Sequence, residues 1–255
     1  KWKFQYFKSI YDVKDAFYLN GYDTSEFDKA TVPGVWQMAG YDMHQYTNIR
    51  YPFPFDPPYV PQDIPCGAYV HTFTYHREEK ATSAFLNFEG VDSCFYVWIN
   101  GRYVGYSQVS HMTSEFDVTS LLEDGTNTLA VLVLKWCDGS YLEDQDKFRM
   151  SGIFRDVYLT STPAVHIQDY DLRTDLNDNY TEAQVNIKIQ TQNDSVNDRQ
   201  NMAAKAVLYD ENGSETASGQ VKLGEKRGEI IVQRYLFRSA NLRCGMRIIQ
   251  TFIRW

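Results

Sequence analysis

The fold class is indicated most clearly by residues 94–106, which read CFYVWINGRYVGY. Two arms rich in aromatic and β-branched residues flank the dipeptide Asn100-Gly101. Asn-Gly between such arms is the strongest short signal for a β-hairpin, because both residues tolerate the positive φ angles of a type I′ turn. The segment therefore predicts a hairpin with strands over residues 94–99 and 102–106.

Further strands are predicted on both sides of this hairpin. They cover residues 84–88, 128–134 and 156–160, which are rich in residues that favour an extended backbone. The stretch 128–134 reads TLAVLVL and is apolar after its first residue, so we expect a central strand that is covered on both faces. The small polar residues and the proline of 161–164 predict a linker, with a domain boundary near Pro163.

A second series of strands follows this boundary. Residues 183–190 alternate between apolar and polar side chains, and residues 204–209 lead into a second hairpin signal at Asn212-Gly213. Short strands joined by polar turns over roughly 90 residues are typical of an immunoglobulin-like sandwich. The sequence therefore predicts an all-β protein, with one domain over residues 1–163 and an immunoglobulin-like β-sandwich over residues 164–255.

The composition excludes several classes of function. The 255 residues are 43% apolar and 15% aromatic, with a mean hydropathy of −0.47 and no apolar run long enough to cross a bilayer. A net charge of −8 argues against a surface that binds nucleic acid. We therefore expect a soluble protein that has neither nucleic acid nor a membrane as its partner.

The cysteines and histidines show no metal-binding pattern. Cys66, Cys94, Cys137 and Cys244 are separated by long, unequal gaps. This spacing predicts buried free thiols rather than a zinc site or a disulfide framework. The five histidines form no spaced cluster, so neither a metal site nor a catalytic triad is indicated by them.

Two segments interrupt the strand pattern. Residues 46–67 contain six prolines interleaved with aromatic residues, which predicts a long extended loop held by aromatic packing. Residues 138–156 begin with a group of acidic residues, namely Asp138, Glu143, Asp144 and Asp146. Their oxygens suit sodium, calcium, magnesium or sugar hydroxyls, and an acidic run is also typical of a solvated loop. The spacing is not that of an EF-hand.

The acidic segment also carries a resemblance to a known family. The stretches VPGVWQM at 32–38, YTN at 46–48 and SEFD at 114–117, with the whole of 138–156, resemble the N-terminal half of bacterial β-galactosidases of glycoside hydrolase family 2. The match is collinear from the first residues to about Arg173. The resemblance implies a jelly-roll, sugar-binding β-sandwich over residues 1–163, followed by the family's first immunoglobulin-like domain.

The resemblance further implies substrate-binding roles for two residues. Asn48 falls on the family's sugar-pocket asparagine, whose amide can both donate and accept hydrogen bonds. Asp146 falls on the aspartate that contacts the galactosyl hydroxyls and a sodium ion. The structural alternatives are a turn residue for Asn48, and for Asp146 an ion pair with Lys147 or Arg149.

The remaining parts of the family's active site are not matched. In the family the next domain is a (β/α)8 barrel with two catalytic glutamates, and no motif for this pair occurs in the 255 residues. A retaining glycosidase needs two carboxyl groups about 5 Å apart. We therefore expect no catalytic residue in this chain, and millimolar binding of galactose or a β-galactoside as an order of magnitude. Gln108 matches a magnesium-binding position, but that site also uses residues upstream of Lys1, which argues against magnesium here.

The C-terminal residues depart from the rest of the chain. Residues 230–255 contain five arginines and no acidic residue, so a net charge of −8 for the whole chain corresponds to −13 for the first 229 residues. The tryptophan, Asn-Pro and Leu-Tyr of the family are missing here, but a neighbouring reading frame can encode them at the right spacing. We hypothesise that a frameshift replaced the end of the second domain and removed the barrel, which sequencing of the coding DNA would decide. We expect the tail to be poorly ordered.

The resemblance favours the N-terminal, non-catalytic part of a β-galactosidase, with the barrel as its missing partner and sodium as its cofactor. Two alternatives stay open. One is a free-standing carbohydrate-binding module, and the other is a structural or assembly domain of a homo-oligomer. The sequence does not decide between the bacterial cytoplasm and the periplasm.

Overall fold

The computed structural model of the chain describes residues 1–78, 81–143, 145–193, 203–210, 212–222 and 238–239. The chain divides into two units, Lys1–Ser161 and Thr162–Trp255. Cys244 and nearly all of the tail from residue 230 lie outside the described residues, as does Asp144. None of the helices that the structure describes has the length and apolar character needed to span a bilayer.

Strands dominate the first unit, and the helices in its described residues are three short 3₁₀ helices at Ile10–Asp12, Gln37–Ala39 and Asp138–Tyr141. The strands are β1 (Trp2–Phe7), β2 (Asp28–Ala30), β3 (Gln45–Thr47), β4 (Cys66–Tyr75), β5 (Ala81–Phe88), β6 (Val91–Asp92), β7 (Cys94–Ile99), β8 (Arg102–Gln108), β9 (Ser114–Asp117), β10 (Gly125–Leu134), β11 (Lys147–Arg149), β12 (Gly152–Ile153) and β13 (Val157–Pro163).

These strands form two main sheets. The larger is an antiparallel sheet of six strands in the order β2-β1-β4-β10-β7-β8, and the smaller has the order β13-β5-β9. A buried cluster joins them, with Phe4, Val97 and Val131 from the larger sheet and Leu86 and Phe88 from the smaller. The first unit is therefore a β-sandwich, and the prediction of an all-β protein is confirmed.

Strand β10 lies in the middle of the larger sheet and is covered on both faces. Leu129, Val131 and Val133 face the cluster between the sheets. Ala130, Leu132 and Leu134 belong to a second cluster, which the segment carrying Phe17 and Phe27 helps to cover. The apolar run predicted a central strand with both faces buried, and this prediction is confirmed.

The hairpin at Asn100-Gly101 is also confirmed. Strand β7 pairs with β8 in antiparallel register, and Asn100 and Gly101 have φ angles of 51° and 76°. Positive φ at both central residues is what a type I′ turn requires. The side chain of Asn100 additionally accepts a hydrogen bond from Thr128 N at 2.9 Å, which ties the turn to the start of the apolar run in β10.

The predicted linker at 161–164 is wrong in its first three residues. Strand β13 continues to Pro163, and the next strand begins at Val165. The reason is that β13 lies at the edge of its sheet, and an edge strand tolerates a proline because its outer N–H has no ladder partner to lose.

The described strands of the second unit are β14 (Val165–Leu176), β15 (Ala183–Asn193), β16 (Ala203–Tyr209), β17 (Glu215–Lys222) and β18 (Arg238–Ser239). They form two sheets, β14-β15-β18 and β16-β17. Alternate residues of β15 (Val185, Ile187 and Ile189) pack with Ala204 and Leu208 of β16 in a separate cluster. The alternation over 183–190 and the hairpin at Asn212-Gly213 are confirmed, and the immunoglobulin-like assignment stays a prediction.

The proline-rich loop is held by aromatic contacts, as predicted. Between β3 and β4 the chain has no regular structure over residues 48–65. Tyr141 lies against Tyr51, Phe53 and Phe55, with ring centroids 5.1–5.7 Å apart. Its hydroxyl donates to Tyr59 O at 2.7 Å and accepts from the backbone N–H of Asp56 at 3.1 Å. The 3₁₀ helix that leads into the acidic segment therefore anchors this loop.

Candidate functional site

A two-stranded ribbon brings the two predicted binding residues together. Strand β3 pairs with β11 in antiparallel register, so that Thr47 lies opposite Lys147 and Gln45 lies opposite Arg149. The next residue along β3 is Asn48, and the residue before β11 is Asp146. An antiparallel register places these two positions opposite one another at the same end of the ribbon.

The ribbon has an exposed outer face. Tyr46 of β3 lies opposite Phe148 of β11, and the hydrogen bond between Tyr46 and Asp146 brings the Asp146 carboxylate to the same face, while Asn48 directly follows β3. All four are exposed, whereas Arg149 is buried. The rings of Tyr46 and Phe148 are in contact, with centroids 5.5 Å apart. The outer face thus combines two aromatic rings and a carboxylate, and the exposed Asn48 follows β3 at the same end of the ribbon.

Tyr46 holds the carboxylate of Asp146. Its hydroxyl donates a hydrogen bond of 2.6 Å to Asp146 Oδ1 across the ribbon. This hydrogen bond raises the pKa of Tyr46 above its ordinary value, because the neutral phenol is the donor. One oxygen of Asp146 is therefore oriented by the protein itself. Lys147, one of the two ion-pair partners considered for Asp146, contacts Asp92 instead.

The inner face of the ribbon is fixed to the sandwich by polar contacts. Arg149 donates from Nε to Thr47 Oγ1 at 3.2 Å and from Nη1 to the carbonyl of Glu143 at 2.9 Å. The carboxylate of Glu143 accepts two hydrogen bonds of 2.7 Å, from the backbone N–H and the hydroxyl of Ser110. Glu143 therefore has a structural contact, although it was predicted among the candidate ligands of the acidic segment.

Lys147 and Asp92 form a second inner contact. Lys147 Nζ lies 3.3 Å from Asp92 Oδ2, and the two side chains are 26% and 19% exposed. Burial raises the pKa of Asp92 to about 6, although the nearby Lys147 and Arg149 act in the opposite direction. Both residues line a small cavity of about 20 Å³, which also includes Ser93, Ser140 and Glu143.

A buried network upstream of β3 sets the position of the ribbon. The Gln37 amide donates to Asp42 Oδ2 at 3.1 Å, and its carbonyl oxygen accepts from the backbone N–H of Ser151 at 2.9 Å. Lys135, at the end of β10, donates to the same Asp42 oxygen at 2.5 Å. The segment before β3 and the segment after β11 are therefore tied to each other and to the central strand.

The oxygen ligands available beside the outer face suit a hard cation such as sodium. The carboxylate of Asp146 and the amide oxygen of Asn48 are the oxygen ligands that such ions prefer. Within the ranges that the structure describes, no group of three or more His, Cys, Asp or Glu side chains could enclose a metal ion.

The sequence did not single out the residues that support the site. Tyr46, Arg149 and Lys147 have partners about 50 to 100 residues away, and no local pattern indicates such pairs. The one available signal for Tyr46 was its place in the stretch YTN, next to Asn48. The three described cysteines are buried free thiols, as predicted.

Comparison with known proteins supports the fold and the family. The family described as "Glycosyl hydrolases family 2, sugar binding domain" matches residues 1–163. A curated β-galactosidase of Actinobacillus pleuropneumoniae is 50% identical over 213 residues, which are 84% of this chain and 20% of that protein. The β-galactosidase of Staphylococcus xylosus is 46% identical over 218 residues, or 86% of this chain and 21% of that protein. The chain thus spans about a fifth of the length of these relatives.

The solved structures with a similar fold include a β-glucuronidase of Bacteroides uniformis. It superposes with a TM-score of 0.66 at 21% identity, and the match covers 93% of this chain and 26% of that chain. A β-glucuronidase described only as belonging to glycoside hydrolase family 2 gives a TM-score of 0.71 at 18% identity, over 95% and 26% of the two chains. At this identity the similarity supports the β-sandwich fold alone.

Proposed function

Because the chain belongs to glycosyl hydrolase family 2, we propose that it is the N-terminal part of a β-galactosidase and that it supplies Asn48 and Asp146 to the galactose-binding pocket. The observation that carries the proposal is the outer face of the β3–β11 ribbon. Asn48 and Asp146 lie at the same end of this two-stranded ribbon, beside exposed aromatic rings. Sugar hydroxyls need such donors and acceptors, held in fixed positions.

Within this pocket each residue has a separate task. The amide of Asn48 can donate a hydrogen bond to one sugar hydroxyl and accept one from another, so its binding depends on the orientation of neighbouring hydroxyl groups. The carboxylate of Asp146 accepts hydrogen bonds from hydroxyls, and Tyr46 keeps Oδ1 in place while it does so. A sodium ion bound by Asp146 would supply positive charge next to the sugar oxygens.

The chemical step requires groups from elsewhere in the full-length protein. Hydrolysis with retention uses one carboxyl group as nucleophile and a second as acid and base, about 5 Å apart. We assign neither role to Asp146 or Glu143, because Glu143 is engaged by Ser110 and Asp146 by Tyr46. The proposed partner is therefore a catalytic (β/α)8 barrel, which would complete the pocket over the outer face.

Binding of galactose to the 255-residue chain tests the proposal. We expect a dissociation constant in the millimolar range as an order of magnitude, because only one side of the pocket is present. Saturation-transfer NMR with galactose in sodium chloride is suited to such affinities. Asp146→Ala and Asn48→Ala should each abolish the signal, and replacing sodium by tetramethylammonium should weaken it. No turnover of nitrophenyl galactoside is expected.

A matched pair of tyrosine variants separates the pocket from general effects. Tyr46→Phe frees Asp146 and should weaken galactose binding by about threefold to tenfold, the range of a single hydrogen bond. Tyr158→Phe removes an equivalent contact. Tyr158 is an exposed residue of strand β13, and its hydroxyl donates a hydrogen bond of 3.0 Å to the Glu89 carboxylate. This control should bind galactose as the wild type does.

Three results would overturn the proposal. Galactose binding that is unchanged in Asp146→Ala would remove this residue from the pocket. Micromolar binding by the isolated chain would instead favour a free-standing carbohydrate-binding module. Turnover of nitrophenyl galactoside by the isolated chain would place the catalytic pair within these residues.

A further inference from the structure

The dipeptide Asn-Gly occurs three times in the chain, at Asn20-Gly21, Asn100-Gly101 and Asn212-Gly213. In this dipeptide the glycine nitrogen can attack the side-chain carbonyl of the asparagine, because glycine has no side chain to obstruct the approach and its backbone is permissive. The reaction needs an asparagine side chain that is free to turn and a backbone that can change its conformation. The structure gives the three dipeptides different surroundings in both respects.

The side chain of Asn100 is held at both of its polar atoms. Its amide nitrogen donates to Asn127 Oδ1 at 2.8 Å and to the Leu121 carbonyl at 3.1 Å. Its oxygen accepts a hydrogen bond of 2.9 Å from Thr128 N. To present its carbonyl carbon to Gly101, the side chain would have to break these hydrogen bonds and leave the fully buried Asn127 without this donor. The fold therefore protects Asn100.

The second dipeptide, Asn212-Gly213, is exposed, but its turn is held by Asp210. The Asp210 carboxylate accepts hydrogen bonds from the backbone N–H groups of Asn212 and Ser214 at 2.9 Å and 2.8 Å. The Asp210 carbonyl accepts a third, from the N–H of Gly213 at 3.1 Å. The nitrogen that would have to attack is thus engaged as a donor, next to a carboxylate whose negative charge opposes its deprotonation.

Asn20 has neither restraint. Asn20 and Gly21 are both exposed. Among the residues that the structure describes, none is a hydrogen-bond partner of the Asn20 side chain or of the Gly21 N–H. The two residues are the centre of a turn closed by one backbone hydrogen bond, from Tyr22 N to Leu19 O at 3.2 Å, with Gly21 at a φ of 79°. A surface turn with a single such bond opens at low cost.

We propose that Asn20 is a site of spontaneous modification, at which the folded chain is converted to isoaspartate and aspartate. The Gly21 nitrogen loses its proton to a solvent base and attacks Asn20 Cγ. A C–N bond forms, the Cγ–Nδ2 bond breaks, and ammonia leaves with a proton from water, so that a succinimide ring remains. Water then opens the ring at either of its two carbonyls. One water is consumed and one ammonia is released for each asparagine, and no oxidant or reductant takes part.

The modification would change the segment that covers the second face of the larger sheet. Asn20 lies between Phe17 and Phe27, which both belong to the second buried cluster. Its backbone also lies against the hairpin turn, since a Cβ added at Gly101 would meet Asn20 N at 3.5 Å. Isoaspartate adds a methylene group to the main chain and a negative charge at this position. The proposed sugar pocket plays no part in the reaction, and no sugar is needed to measure it.

Peptide mapping by mass spectrometry, during incubation of the native 255-residue chain at mildly alkaline pH, tests this inference. We expect the peptide with Asn20 to lose its amide at least about tenfold faster than the peptide with Asn100, with Asn212 between them. A methyltransferase specific for isoaspartate should then methylate the Asn20 peptide. In Asn20→Gln this peptide should stay unchanged, because the longer side chain closes a larger and less favourable ring.

Denaturation provides the matched control. In guanidinium chloride the three dipeptides lose their folded surroundings, so their rates of amide loss should become similar. Asn20 would not be the modified site if Asn100 or Asn212 lost its amide as fast as Asn20 in the native protein. The same holds if Asn20 kept its amide in the native protein and lost it only in denaturant. These rates are all measured on the wild type, so the answer does not depend on whether a variant folds.

Discussion

Asp92 illustrates how the surroundings of one residue set its chemistry. It lies on the short strand β6, which pairs with β12, and its carboxylate contacts Lys147 beneath the ribbon. Burial outweighs this contact, so the pKa of Asp92 rises from an ordinary value of 3.8 to about 6. The folded protein therefore prefers the protonated side chain more strongly than the unfolded chain does.

The sign of the resulting pH dependence follows from proton binding. Between about pH 4 and pH 6 the folded state binds more protons at Asp92 than the unfolded state, so its contribution to stability is lost as the pH rises through this window. Asp92→Asn cannot titrate. We expect the free energy of unfolding of the wild type, relative to that of Asp92→Asn, to fall by up to about 3 kcal/mol from pH 4 to pH 7.

Urea unfolding at constant ionic strength measures this difference. Glu26→Gln is the control, because it removes an exposed carboxylate in the segment before β2. Its curve of stability against pH should differ from that of the wild type by no more than about 0.5 kcal/mol. Parallel curves for the wild type and Asp92→Asn would show that burial does not dominate at this carboxyl group.

The site residues could be predicted from the sequence only in part. Asn48 and Asp146 were predicted as site residues because the stretches YTN and LEDQD resemble the family, and their roles in sugar binding stay predictions. The pairing of β3 with β11, which brings them to one end of the ribbon, has no sequence signal. Strands of three residues are too short to show a periodicity. Tyr46 was missed for the same reason, since its partner lies 100 residues away.

At the level of elements, the turn between β7 and β8 is held by side-chain hydrogen bonds as well as by its backbone conformation. The Asn100 side chain donates to Asn127 Oδ1 at 2.8 Å and to the Leu121 carbonyl at 3.1 Å, and it accepts from Thr128 N. Asn127 is fully buried. The turn therefore fastens the hairpin to the neighbouring strand β10 and to the loop before it. The sequence predicted the turn but not these contacts.

Asn100→Gly separates these two roles, because glycine keeps the positive φ and loses the side chain. We expect a loss of about 2–4 kcal/mol in the free energy of unfolding, since buried polar groups of Asn127 and Thr128 lose partners. Asn212→Gly in the second hairpin is a control for the Asn→Gly substitution at a turn position without positive φ. The contact described for Asn212 is made by its backbone N–H, to Asp210, so its change should stay within about 0.5 kcal/mol. Equal losses in urea unfolding would show that the side-chain contacts of Asn100 do not add to the stability of the hairpin.

Strands with a clear apolar pattern were easier to predict than strands without one, for a physical reason. Strand β10 buries nearly every residue from Asn127 to Leu134, and β15 buries alternate residues from Ala183 to Thr191, which leaves a clear pattern in the sequence. The end of β13 was mistaken for a linker because proline usually ends pairing, and only the sheet order shows that this strand lies at an edge. The strands without a prediction include the short β3, β6, β11 and β12, and also β1, β4 and the largely exposed β14.

On the scale of the whole molecule, each unit has its own buried core. The two clusters of the first unit draw on residues between Trp2 and Leu159. The cluster of the second unit draws on residues between Ile167 and Ala217. A segment with a complete core of its own can fold independently. The family match to residues 1–163 coincides with the part of the chain that encloses the two larger clusters.

The polypeptide 1–163 should therefore fold without the second unit. It keeps β13 to its last residue, and with it the edge of the smaller sheet. We expect a cooperative urea transition and a near-ultraviolet circular dichroism signal from the buried aromatic residues.

Phe88→Ala should lower the free energy of unfolding of the polypeptide 1–163 by about 3–5 kcal/mol, because this fully buried ring joins the two sheets. In the 255-residue chain, Ile187→Ala should leave the transition of the first unit unchanged while Phe88→Ala shifts it. A non-cooperative transition of the shorter polypeptide would mean that the two cores do not stabilise the sandwich by themselves, and that residues beyond Pro163 are needed for folding.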